Sequence, residues 1–198
     1  MERPHDAECG IIIGSTRPGR NGEAVASWVH ELASLRNDAV YHLVDIANFN
    51  LPVLDEPFPP SLHQPFTKEH SKAWSAAIAP LDAFIFVTPE YNHSTSGALK
   101  NAIDFLFYEW HDKVAGFVSY GSTGGVRAVE HLRGIVGELH IADVRSQVAL
   151  SLFDDFENFS TFKPRDVQAT ALNTLFDELV GWGGALKSYR EGKQAKAG

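Results

Sequence analysis

Three polar segments of this chain carry residue types that could do chemistry, and each follows an apolar run. The first is Gly14-Ser15-Thr16-Arg17-Pro18-Gly19-Arg20-Asn21-Gly22. Its glycines permit tight turning and close backbone approach. Ser15 and Thr16 supply hydroxyls, and Arg17 and Arg20 supply charge. The helix that follows would add free N–H groups and the positive end of its dipole. That combination suits a phosphate. The plain alternative is a capped turn with two arginines in water. The second segment is Thr88-Pro89-Glu90-Tyr91-Asn92. Pro89 stiffens the chain, Glu90 and Asn92 bring hydrogen-bonding groups, and Tyr91 brings a flat face with a polar tip. Those groups suit the edge of a planar heteroaromatic ring, or simply a strand-to-helix turn. The third, Ser119-Tyr120-Gly121-Ser122-Thr123-Gly124-Gly125, has residues small enough for a flat ligand to lie against the backbone. A flexible glycine turn would look the same.

Several chemistries are excluded. Gly14 and Gly19 have P-loop spacing, but Arg20 and Asn21 stand where Lys and a magnesium-binding hydroxyl are needed. No GxGxxG follows the first apolar run, which disfavours a dinucleotide site there. Ser122 lacks the GxSxG elbow of a hydrolase. The single cysteine, Cys9, has no partner for a disulfide or a CxxC site and reads as a small buried residue. The nine histidines lack the spacing of a helical zinc pair, so no metal site is expected. His93, directly after Asn92, is the one histidine placed to meet a substrate. A net charge of -8 disfavours nucleic acid as a partner. No apolar run reaches the roughly 20 residues that span a bilayer. The polar start is not a secretory signal, so no membrane partner and a cytoplasmic location are expected.

The elements that must position these segments follow from the apolar pattern. With 198 residues and 44% hydrophobic content, one domain over residues 1–198 is expected, with tails at 1–8 and 191–198. Short apolar runs predict strands at 9–13, 40–46, 83–87, 114–118 and 144–152. Between them, helical spacing recurs: Val25, Trp28, Val29, Leu32; then Trp74, Ala77, Ile78, Leu81, with Thr67 or Ser71 as cap. Leu99, Ala102, Ile103 and Leu106 repeat it, as do Leu132, Ile135, Val136 and Leu139. Leu172, Leu175, Phe176 and Leu179 mark a last helix, which Gly181, Gly183 and Gly184 are expected to weaken. Five of the ten prolines fall within 52–65 and predict an extended loop. Residues 153–164 read as an acidic, aromatic loop, whose acidic part, Asp154–Glu157, is expected to shape substrate access. Strict alternation predicts an α/β fold: a doubly wound, five-stranded parallel sheet of order 2-1-3-4-5, with helices on both faces. The first two polar segments then flank the switch-point crevice where ligands bind.

Taken in order, the segments resemble the NAD(P)H-dependent FMN reductases of the flavodoxin-like fold, relatives of quinone, azo-dye and chromate reductases. The likeness covers about residues 9–152. It rests on Gly14-Ser15-Thr16-Arg17, on Pro89-Glu90-Tyr91-Asn92, on Gly97-Ala98-Leu99-Lys100-Asn101-Ala102-Ile103-Asp104, on Ser119-Tyr120-Gly121 through Gly124-Gly125-Val126-Arg127-Ala128, and on the proline loop Leu51–Pro57. The resemblance implies FMN as cofactor and NADPH or NADH as electron donor. It implies that Ser15, Arg17 and Asn21, with the backbone near Gly22, hold the phosphate. Pro89, Glu90, Tyr91 and Asn92 would line the isoalloxazine, and Gly121, Ser122, Thr123 and Gly124 its other side. Arg20, where many members have Ser, either adds charge to the phosphate or faces water. No catalytic side chain is implied, because the flavin carries the chemistry in a ping-pong transfer to quinones or similar small acceptors. The competing reading is a non-enzymatic flavodoxin-like electron carrier. Phe107, Tyr108 and Trp110 are expected to form an exposed aromatic patch, and a homodimer or homotetramer is expected with it.

Overall fold

The computed structural model describes residues 7–195. Five strands form one parallel sheet of order β2-β1-β3-β4-β5. They are β1 (Ala7–Ile13), β2 (Ala39–Asp45), β3 (Ala83–Pro89), β4 (Lys113–Gly121) and β5 (Ile141–Ser151). Between and after them run α1 (Gly22–Ser34), α2 (Glu69–Ile78), α3 (Gly97–Asp104), α4 (Val126–Glu138) and α5 (Asp166–Gln194). The expected topology is the observed one. The expected tails at 1–6 and 196–198 lie outside the described residues.

The central strands are apolar throughout because both faces are covered. Side chains alternate between two cores, as the two-residue period requires. Ile11, Ile13, Ile85, Val87, Val114 and Val118 point to one face, where α1 and α5 add Val25, Val29, Leu172, Leu175 and Phe176. Ile12, Phe84, Phe86, Ala115 and Phe117 point to the other, where α2, α3 and α4 add Trp74, Ile78, Leu99, Ile103 and Leu132. Both cores lie beneath the polar segments, so the sheet presents those segments together along its carboxyl edge.

Several expectations are corrected. The helix α5 does not fail at its glycines but runs to Gln194, so residues 191–194 are helical. Gly183 lies against the sheet: a Cβ there would sit 3.4 Å from Val114 Cγ1 and 3.8 Å from Ala83 Cβ. One turn and more beyond, Lys187 donates to Asp82 at 2.9 Å, and Arg190 pairs with the same carboxylate. These tertiary contacts offset the roughly 1 kcal/mol that a glycine costs inside a helix. At the other end, Ala7 already belongs to β1, and the Glu8 N–H donates to Asp82 at 3.0 Å.

Neither Thr67 nor Ser71 caps α2, whose N-cap position is Lys68 with no side-chain bond. Glu56 of the proline loop does that work by accepting the backbone N–H of Thr67 and of Lys68, each at 3.0 Å, and the Thr67 hydroxyl at 2.7 Å. Burial alone would raise the Glu56 pKa, but these donors outweigh it and hold the carboxyl down at about 2. The proline loop also contains a short 3₁₀ turn, Pro60–Leu62.

Trp110 is not a surface aromatic. It is fully buried, 4.9 Å from Phe84 by ring centroids, and its indole donates to Ile103 O at 3.1 Å. Of the expected patch only Tyr108 is exposed.

Residues 153–164 are more than a loop: they contain an antiparallel hairpin, β6 (Phe156–Glu157) and β7 (Thr161–Phe162). Its anchor is Asp155, fully buried, whose carboxylate accepts from Ser151 N at 2.9 Å, Gln168 Nε2 at 3.0 Å, and Arg165 N, Nε and Nη2 at 3.0–3.1 Å.

Candidate functional site

The first loop leaves the sheet at Gly14, which donates to Val87 O at 2.8 Å. A Cβ on Gly14 would stand 2.8 Å from that oxygen and from Leu99 Cδ2, so the strand can exit only with glycine here. Ser15 is buried and places its hydroxyl 3.0 Å from the Tyr91 hydroxyl. Arg17 Nε donates to the same Tyr91 oxygen at 3.2 Å. Tyr91 therefore ties the second segment to the first. Thr16 to Gly19 are exposed, and Gly19 turns the loop with φ +67°. The helix α1 starts at Gly22 with no side-chain cap on its first N–H groups, which leaves them open to an anion.

The second segment extends β3 to Pro89. Glu90 N donates to Tyr120 O at 3.0 Å, continuing the ladder toward β4. The Glu90 carboxylate is nearly buried, accepts the Arg127 N–H at 3.2 Å and pairs with its guanidinium. Glu90 thus clamps α4 from below. Tyr91 and Ser94 exchange backbone hydrogen bonds of 2.9 and 3.2 Å around Asn92 and His93, whose φ values are +48° and +73°. Two left-handed residues in a two-residue turn give the tight primed geometry of a hairpin. Asn92 and His93 are both exposed at its tip.

The third segment folds back on itself. Gly121 O accepts from Gly124 N at 3.1 Å and Leu152 N at 3.0 Å. Gly125, with φ +73°, opens α4. Ser122 and Thr123 are exposed at the turn. Gly121 lies against Glu90, where a Cβ would meet Glu90 Cβ at 3.3 Å. The second and third segments therefore meet at their base.

The structure brings Ser15, Arg17 and Tyr91 together and sets 89–92 against 121–124. It engages Arg20 and Asn21 elsewhere. The Arg20 guanidinium, only 8% exposed, does not face water: it pairs with Asp45 and Glu23 and donates to Ser15 O. Asn21 Nδ2 donates to Phe159 O of the hairpin tip at 3.0 Å. Asp45, Arg127, Gly125 and Asp155 position the site and were not marked for it. Asp45 and Asp155 gave no local signal, since their partners lie 25 and 10 residues away in sequence.

One feature fits a mononucleotide such as FMN at this loop. The Tyr120 hydroxyl is buried beneath Gly22, where a Cβ would come within 2.9 Å of it, and it makes no hydrogen bond of normal geometry. Burial pushes its pKa up, so it stays a neutral donor under the loop. Beside the first loop, a cavity of about 440 Å3 opens toward Thr16, Asn50, Leu51, Ala98 and Asn101. Its lining includes none of 89–92 or 121–124. The Cys9 thiol is buried and its pKa is raised by that burial, which makes it inert. No helix among the described residues is long and apolar enough to cross a membrane.

This fold and this site define a class, the flavodoxin-like flavin oxidoreductases. Residues 8–155 match the family described as NADPH-dependent FMN reductase. The chain belongs to that family, an oxidoreductase family whose cofactors are FMN and NAD(P)H. An NAD(P)H-dependent FMN reductase of a Nectria species is 47% identical over 127 residues, 62% of this chain and 63% of that protein. One from Schizosaccharomyces pombe is 38% identical over 143 residues, 72% of each chain. Among solved structures, the flavoenzyme NAD(P)H:(acceptor) oxidoreductase FerB of Paracoccus denitrificans superposes with a TM-score of 0.69 at 20% identity, covering 90% of this chain and 98% of its own.

Proposed function

We propose that this protein is an NAD(P)H-dependent FMN reductase that passes electrons to quinones or similar small acceptors by a ping-pong mechanism. The observation that carries this reading is the junction at Tyr91, where one hydroxyl meets Ser15 and Arg17 of the phosphate-type loop. It supports a site in which a mononucleotide phosphate and a ring edge would meet adjoining segments. FMN, when bound, accepts hydride from NAD(P)H and delivers electrons to the acceptor.

The chain supplies position and electrostatics. Ser15, Arg17 and the uncapped N–H groups at Gly22 would hold the phosphate, while Asn21, bonded to Phe159 O, steadies the start of α1. Among the described residues the two Nη groups of Arg17 have no partner, so its charge is free for that role. Pro89, Glu90, Tyr91 and Asn92 form one wall for the ring, and Gly121, Ser122, Thr123 and Gly124 the other. Backbone N–H groups in the glycine turn favour negative charge on the reduced ring. Asn92 and His93 are exposed at the edge of the second segment, so donor and acceptor would take the same place there in turn. That shared place is the physical basis of the ping-pong order. A dimer is part of the proposal. Val53, Phe58, Leu62 and Tyr108 are exposed apolar residues on or beside the proline loop. Sedimentation as a monomer at micromolar concentration would remove the dimer.

The test is anaerobic. NADPH or NADH is added to FMN-loaded protein, and flavin absorbance is followed. Bleaching with either donor, then recovery on adding a quinone with no partner protein, supports the enzyme. Absence of bleaching with both donors refutes it, and bleaching without direct quinone turnover would favour an electron carrier.

A further inference from the structure

Arg20 and Arg17 flank the same loop but are engaged in opposite ways. Every N–H of the Arg20 fork has an acceptor: Nε and Nη2 donate to Glu23 Oε1 at 3.0 and 2.5 Å, Nη1 to Asp45 Oδ1 at 2.9 Å and to Ser15 O, and Nη2 to Asp45 Oδ2 at 2.5 Å. A guanidinium has five N–H bonds, and these five contacts use them all. The charge is spent as well, since one cation faces two carboxylates. Asp45 is held in turn, because its Oδ1 also accepts the Ala47 N–H at 2.9 Å at the end of β2.

We propose that Arg20 is a positioning residue rather than a phosphate ligand: braced by Asp45, it fixes the Ser15 peptide and thereby aims the phosphate loop. The lever is the planarity of the peptide. The Ser15 carbonyl and the Thr16 N–H belong to one rigid trans unit and point in opposite directions. Holding the Ser15 oxygen on the Asp45 side turns the Thr16 N–H to the other side, where it can serve an anion. The chain of command runs from the end of β2, through Asp45 and Arg20, to the loop after β1. The proposal rests on the flavin reading of the site given above.

The two roles predict opposite signs for one substitution. A phosphate ligand restrained by Asp45 would be released by Asp45→Asn, and FMN would bind as well or better. A positioning residue would lose its brace, and FMN would bind worse. FMN and riboflavin affinities are measured by flavin fluorescence quenching for the parent protein, Asp45→Asn, Arg20→Lys and Glu23→Gln. Far-UV circular dichroism and the urea midpoint confirm folding of each. We expect Asp45→Asn and Arg20→Lys each to weaken FMN about tenfold, the size of one charge-assisted hydrogen bond. Arg20→Lys keeps the charge but loses the fork. Riboflavin, which has no phosphate, should change less than about twofold, and Glu23→Gln should resemble the parent because the Asp45 brace remains. FMN affinity equal or higher in Asp45→Asn overturns the proposal. So does full FMN affinity in Arg20→Lys, or equal losses for FMN and riboflavin. A parent protein that binds neither flavin overturns the underlying flavin reading instead.

Discussion

Replacing Gly125 with alanine should cost about 3 kcal/mol of stability, while the same change at Gly134, nine residues on in the same helix, should add about 0.8 kcal/mol. Gly125 adopts φ +73°, where an L side chain is strained by about 1 kcal/mol or more. A Cβ there would also lie 2.7 Å from Ser119 Cβ and 2.8 Å from Tyr120 N. Both atoms belong to β4, which is paired on both sides, so neither can swing away. Overpacking of that kind adds a further 1–3 kcal/mol or so. Gly134 sits inside α4 with open space around its missing Cβ, so alanine there gains only helix propensity. For a chain of this size, 1 kcal/mol moves the melting point by about 2–4 °C. Flavin-free Gly125→Ala should therefore melt roughly 9 °C lower and Gly134→Ala about 2 °C higher by circular dichroism. FMN affinity should fall only in the first, because Gly124 and Gly121 move with residue 125. A Gly125→Ala protein as stable as the parent would refute the strain and contact argument together. A fall in both variants would show that α4 tolerates no change, which is a different conclusion.

Asp155→Asn should destabilise by about 3 kcal/mol in urea unfolding, since it sets an amide among buried donors that now face a carboxylate. Burial alone would raise the Asp155 pKa, but the Arg165 bonds outweigh it and keep it below the ordinary carboxylate range. Its contribution is thus present at neutral pH and lost as pH falls through that lowered value; an acid limb unchanged in Asp155→Asn would contradict this. Lys113, buried under α2 and donating to Ala79 O at 2.9 Å, is held down to about 8 first by burial and then by the charge of Arg190. The unfolded chain therefore binds the extra proton between pH 8 and about 10.5, and stability from this group rises across that window. The gap between the parent and Lys113→Met should move by about 3 kcal/mol in favour of the parent over that range, and a flat gap would show that Lys113 is not desolvated. Tyr91→Phe should weaken FMN about fivefold, the value of the hydrogen bonds to Ser15 and Arg17, with little change in melting point; unchanged affinity would detach Tyr91 from the phosphate loop.

The sheet was readable because β1, β3 and β4 are buried on both faces, which leaves unbroken apolar runs such as Phe84 to Val87. The three polar segments were readable as loops after β1, β3 and β4 because glycine, proline and hydroxyl residues punctuate strand ends. What escaped depends on contacts distant in sequence. The helical state of Gly183 follows from its approach to Val114 and Ala83 and from cations that reach Asp82. The cap of α2 comes from Glu56, eleven residues before Thr67. Trp110 sits in a 3₁₀ turn, Tyr108–Trp110, where the helical period that sorts buried from exposed residues no longer holds. Arg20 looked free for a phosphate because its partner, Asp45, belongs to a different strand.

The two faces of the sheet are completed at different times during translation. All five strands precede residue 152, yet one core draws Leu172, Leu175, Phe176 and Leu179 from α5. On the ribosome the α2–α3–α4 side can close as soon as β5 emerges, whereas on the other side α1 covers β1 and β3, and Val114 and Val148 stay bare until residues 166–194 follow. At ordinary elongation rates that interval is on the order of seconds. A nascent chain of this protein therefore presents the apolar β4–β5 half of one sheet surface to chaperones after its other surface is already sealed.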